Sequence, residues 1–86
     1  MPKPLPYIRS MSWTPENIKL LRLFIGETQP DFAKRCGATR AATVAEWESG
    51  KRNPGGPTCK LLDYIAADAG FTEIRIQELK DAGGGG

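Results

Sequence analysis

Four glycines, Gly26, Gly37, Gly50 and Gly70, each close a stretch of helically spaced apolar residues, so the chain is divided into short helices. The first stretch opens at Thr14-Pro15-Glu16, which offers a hydroxyl cap, a proline at the first helical position and a carboxylate in the first turn. Ile18, Leu21 and Ile25 then fall on one face, with Leu20 and Phe24 beside them. Thr28 caps a second, shorter helix with Pro30 and Asp31 in its first turn and Phe32, Ala33 and Cys36 turned inward. Thr39 is placed to cap a third, running to Ser49 with Val44 and Trp47 on its inner face. Pro57 and Thr58 begin a fourth, whose Leu61, Leu62, Ile65 and Ala69 make an inward stripe.

Residues 71–82 admit two readings. Thr72-Glu73 can open a helix with Ile74 and Leu79 inward, whereas "TEIRI" alternates as a strand does; the helix is expected. Prolines at 2, 4 and 6 make residues 1–12 an extended basic arm rather than a helix. The domain proper is expected over 13–82, with Gly83 to Gly86 as a flexible tail. A chain of 86 residues supports one small core, and the expected fold class is all-α, with four to five short helices.

Several functions are disfavoured at this stage. No apolar run approaches the roughly 20 residues that span a bilayer, and the N-terminus has no signal-like apolar core, so a cytoplasmic protein is expected. The chain has no histidine, and Cys36 and Cys59 form no C-x-x-C pair. That removes the commonest general base and the usual zinc ligand sets; neither catalysis nor a metal or other cofactor is expected, and both cysteines read as small buried apolar residues. The net charge of +2 conceals an asymmetry: residues 1–60 carry ten Lys and Arg against five Asp and Glu, residues 61–86 two against five. The basic portion is the one suited to an anionic partner.

The third helix is unusual in being built of small residues, Ala41, Ala42, Thr43 and Ala45, immediately before Trp47-Glu48. Two short helices joined by a tight glycine-containing turn make a helix-turn-helix, whose second helix enters the major groove. Small side chains there would let the backbone come close to base edges.

The stretches "LRLFIGETQPDFAKRCG", "TVAEWESGKRNPGGP" and "KLLDYI" resemble the Cro/C1-type (XRE-like) helix-turn-helix family over roughly residues 18–66. The family pattern runs L-R-x-x-x-G-x-[ST]-Q-x-x-[FL]-A-x-x-x-G, then T-V-x-x-W-E-x-G-x-x-x-P. One departure is clear: Trp47 follows Gly37 by ten residues instead of nine, so one residue is inserted between Gly37 and Thr43. The resemblance implies a lambda-repressor-like domain. It implies phosphate contacts from Thr28 and Gln29 at the start of the second helix and from Lys51, Arg52 and Asn53 after the third. Arg40, Ala42, Thr43 and Glu46 would face the bases: an arginine suits guanine, a threonine methyl suits thymine, and a glutamate can accept from cytosine N4. Arg22 and Glu48 match the family's buried ion pair between first and third helices.

The function so implied is a sequence-specific transcriptional regulator that binds double-stranded DNA, expected as a homodimer on an inverted repeat. Free-standing members of this size act as repressors of phage, mobile-element, toxin-antitoxin or anti-CRISPR-type operons. Lys3 and Arg9 on the arm are candidates for the minor groove. Phe71, Ile74, Ile76 and Leu79, in the acidic C-terminal part, are assigned to a dimer or partner surface. The alternative is a protein-binding adaptor or antitoxin that acts mainly through that segment.

Overall fold

The computed structural model describes residues 12–84, without the side chains of residues 73, 74 and 82–84. The arm residues Lys3 and Arg9 and the side chain of Ile74 therefore lie outside the described residues. Five helices follow one another: α1 (Pro15–Phe24), α2 (Gln29–Arg35), α3 (Ala41–Ser49), α4 (Gly56–Ala69) and α5 (Glu73–Gly84), with no strand among the described residues. The fold class is all-α.

Local chemistry sets the helix starts. Thr14 Oγ1 accepts the Asn17 amide at 3.1 Å, Thr28 Oγ1 the Asp31 amide at 3.3 Å, and Thr72 Oγ1 the Arg75 amide at 3.2 Å. Each satisfies an amide of the first turn that has no partner within the helix. The ends share one device. The four punctuating glycines all take positive φ, between 75° and 83°, where only glycine is unstrained. The residue after each then donates back across the last turn: Glu27 to Arg22, Ala38 to Ala33, Lys51 to Glu46 and Phe71 to Ala66, at 2.8 to 3.1 Å.

Three boundaries differ from the sequence expectations. Thr39 does not cap α3; Arg40 occupies the cap position and makes no side-chain capping bond. Thr39 thus lies one residue upstream of the cap position from which a hydroxyl reaches the first turn. Helix α4 begins at Gly56, with Gly55 as its cap, because the Cys59 amide already bonds the Gly55 carbonyl at 2.9 Å; Pro57 still lies in the first turn, where no amide is needed. Helix α5 continues to Gly84, so Gly83 and Gly84 are helical instead of part of a loose tail.

The core gathers Ile18 and Leu21 from α1, Phe32 and Ala33 from α2 with Cys36 just after it, Val44 and Trp47 from α3, Leu62 and Ala66 from α4, then Phe71 and Ile76. Trp13, Leu20, Phe24, Ile25, Leu61, Ile65 and Leu79 pack around it. Helix α3 rests on α2 and α1, and α5 on α1. The Phe71 ring lies 5.3 Å from that of Phe24, tilted 50°, a favourable arrangement for two aromatic quadrupoles.

This packing corrects the C-terminal assignment. Phe71 is 1% exposed, Ile76 is 8% exposed and Leu79 packs on the core. Phe71 and Ile76 belong to the core and α5 packs on α1, so these two side chains face inward instead of forming an outward partner surface. Among the described residues, the large hydrophobic side chains left exposed are Leu23 and Tyr64. Cys59 is also less buried than expected: it is half-exposed at the α4 start, with its thiol 3.7 Å from the Pro54 carbonyl. Trp13, which no periodicity marks, donates its indole N–H to Asp63 at 2.8 Å and ties the chain ahead of α1 to α4.

Candidate nucleic-acid interface

Helix α3 can present only one face, because the other is held on two levels. Val44 and Trp47 are buried at 0% and 5% exposure. Beside them, Glu48 meets Arg22 of α1 through two parallel bonds, Nε to Oε2 at 2.6 Å and Nη2 to Oε1 at 3.1 Å. The side chains are 12% and 7% exposed. The third guanidinium nitrogen donates to the Glu27 carbonyl at 3.0 Å, in the turn between α1 and α2. The expected ion pair is therefore present and spans α1, α3 and the intervening turn. Its planar two-point geometry fixes orientation as well as distance.

Gln29 is drawn into the same network. Its amide nitrogen donates to Glu48 Oε1 at 3.2 Å, so in this structure the side chain is turned inward onto the ion pair, away from the position expected of a phosphate ligand. Thr28 is exposed, with its hydroxyl engaged in capping α2.

The outward side of α3 carries Ala42 fully at the surface, with Ala41, Thr43, Ala45 and Glu46 partly covered. Arg40 is exposed at the cap, in extended backbone immediately before the helix instead of on it. The assigned base-facing residues thus occupy the first two turns of one helix face and its cap. Beyond Gly50, Lys51, Arg52 and Asn53 are all exposed. The Lys51 and Arg52 amides both donate to the Glu46 carbonyl, at 3.0 and 3.2 Å, folding this basic stretch over the end of α3. Arg52 Nε also reaches Glu46 Oε1 at 3.2 Å, an ion pair with no counterpart in the sequence expectations, which placed these residues in separate roles.

Away from this surface, Glu27 pairs with Arg35 through both carboxylate oxygens. The Arg35 hydrogen bonds hold the Glu27 carboxyl below its usual range, against a smaller opposing effect of burial. The Cys36 thiol is pushed up to about 11, chiefly by burial and further by Glu27, so it stays protonated near neutrality. An open cleft of about 320 Å³ is lined by Ile25, Arg35, Tyr64, Ile65, Asp68 and Ala69, and shares no residue with α3 or the loop after it.

Among the described residues no helix is long and apolar enough to cross a membrane. Comparison with protein-family models, with curated proteins and with solved structures gives no match.

Proposed function

We propose that this protein is a sequence-specific DNA-binding regulator of transcription that places α3 in the major groove, as its resemblance to Cro/C1-type proteins implies. The observation that carries this reading is the way α3 is mounted. A buried, two-point Arg22–Glu48 pair and the Trp47 anchor hold the helix from behind. Its other side is small, exposed at Ala42, and bordered by Arg40 at one end and Lys51, Arg52 and Asn53 at the other. Backbone can approach base edges over alanines, while cations at both ends suit the two phosphate rows that flank the groove.

A module of this size covers limited DNA, and two copies related by a two-fold axis on an inverted repeat would double the sequence read. With Phe71 and Ile76 in the core, Tyr64 and Leu23 are, among the described residues, the large apolar side chains exposed for contact between copies. The same burial removes the main support for an adaptor working through the C-terminal segment. Control of its own operon inside the cell, as a small repressor does, is the biological role this reading favours.

The test is an anisotropy titration against the DNA directly upstream of its own gene, at about 50 and 200 mM salt, with random duplex as competitor. Specific binding should survive competition and weaken steeply with salt, by about 0.9 in the logarithmic slope per phosphate contact. Arg40→Ala should relax preference at one base pair, and Lys51→Ala should weaken cognate and random DNA alike. Salt-insensitive binding, or none, would reject the proposal.

A further inference from the structure

The pair between Glu46 and Arg52 joins a residue assigned to base recognition with one assigned to phosphate. Gly50 turns the chain at φ 83°, and two backbone bonds to the Glu46 carbonyl then hold residues 51 and 52 back over the last turn of α3. From there the Arg52 side chain reaches the Glu46 carboxylate at 3.2 Å while remaining 69% exposed, against 28% for Glu46. In the free protein one guanidinium and one carboxylate on the outward side of α3 therefore occupy each other.

We infer that this pair is a specificity latch, in which Glu46 withholds Arg52 from phosphate until a base takes its place. The inference rests on the DNA-binding reading. A carboxylate brought to a base pair needs a hydrogen-bond donor, which cytosine N4 or adenine N6 supplies and guanine O6, thymine O4 and N7 atoms do not. Where a donor is present, the base satisfies Glu46 and Arg52 is released to a neighbouring phosphate. Where none is present, releasing Arg52 would leave Glu46 uncompensated beside a polyanion, so the pair stays closed and the phosphate contact is forgone. One base is thereby read twice, once directly and once through a backbone contact that ordinarily carries no sequence information.

The experiment uses the full chain and a random-sequence duplex, with four proteins: wild type, Glu46→Gln, Arg52→Ala and the double variant. Thermal melts confirm that each is folded, as expected for two surface side chains. Affinity is followed from about 50 to 200 mM salt. Glu46→Gln should bind random DNA about two- to fivefold more tightly at the lower salt, as expected for freeing an exposed ion pair. It should also steepen the logarithmic salt slope by about 0.9, one phosphate contact. Arg52→Ala should flatten the slope on random DNA by less in the wild-type background than in the Glu46→Gln background, and in the double variant the gain should disappear. An undiminished gain in the double variant would show that Glu46 acts by simple repulsion, and an unchanged Glu46→Gln would show that it restrains nothing; either overturns the latch alone. Absence of DNA binding by all four proteins would remove the DNA-binding reading and the latch with it.

Discussion

Replacing Arg22 by Met is the most informative single perturbation of this fold. The substitution keeps much of the aliphatic stem while deleting three hydrogen bonds, two to Glu48 and one to the Glu27 carbonyl. Glu48 is then left 7% exposed with a single neutral donor. A buried carboxylate stripped of its cation costs about 3–5 kcal/mol. For a domain of this size total stability is on the order of 4–13 kcal/mol, so the variant should be close to its threshold. The melting temperature should fall by at least about 12 °C, taking about 4 °C per kcal/mol as the lower figure for small domains.

Urea unfolding followed by tryptophan fluorescence is the natural assay, since Trp47 is buried next to Glu48 in sequence and Trp13 is held by Asp63. The penalty arises from an orphaned charge, so removing the charge as well should restore much of the loss. Arg22→Met with Glu48→Leu should recover to within about 1–2 kcal/mol of wild type, because apolar replacement of a buried ion pair is commonly near neutral. A single variant within about 1 kcal/mol of wild type, or a double variant no better than the single, would refute the reasoning. The double variant separates stability from the proposed function too: it should fold yet lose the fixed pose of α3, registering as weakened DNA discrimination.

Two further outcomes follow from the packing. Phe71→Ala should destabilise by about 3–5 kcal/mol in urea unfolding without altering the association state measured by light scattering; a shift in association with stability intact would mean that Phe71 faces a partner after all. Glu27→Gln removes a carboxyl whose folded-state pKa is depressed, so its stabilisation is present above the ordinary carboxylate range and lost as pH falls through the folded value. The variant should accordingly be less stable than wild type at neutral pH, and the two urea midpoints should converge in acid; a constant difference across the titration would show that the Arg35 pair contributes nothing through ionisation.

Helix number, order and most of the core were legible because helix termini are written in local chemistry. A hydroxyl at the start and a glycine at the end require no knowledge of the rest of the chain, and Thr14, Thr28, Gly26, Gly37, Gly50 and Gly70 all act as their positions suggest. What failed was less local. Thr39 is an acceptable cap by composition, but the helix starts one residue later than it requires, with Arg40 at the cap. Phe71, Ile76 and Leu79 lie in a short, weakly amphipathic and acidic segment, and only the position of α1 and α4 determines that they close the core. For Gln29 the resemblance implied a phosphate contact; its bond to Glu48, nineteen residues away, could not be read from local sequence.

The same distinction explains why α3 is built of alanines. A helix that packed on one side only through apolar bulk would be free to roll about its axis by the width of a side chain. Here rotation is restricted twice, by Trp47 in the core and by a planar guanidinium–carboxylate pair at the next residue. Large residues at 41, 42 and 45 are then unnecessary for stability, and they would hold any approaching surface away from the backbone. Ala42 can be exposed and Ala41 and Ala45 small because Trp47 and Glu48 already fix the helix. Smallness on one face and over-determination on the other are thus what the proposed DNA-binding role would require of this helix, since a rigidly held, low-relief face is the one a groove could approach closely.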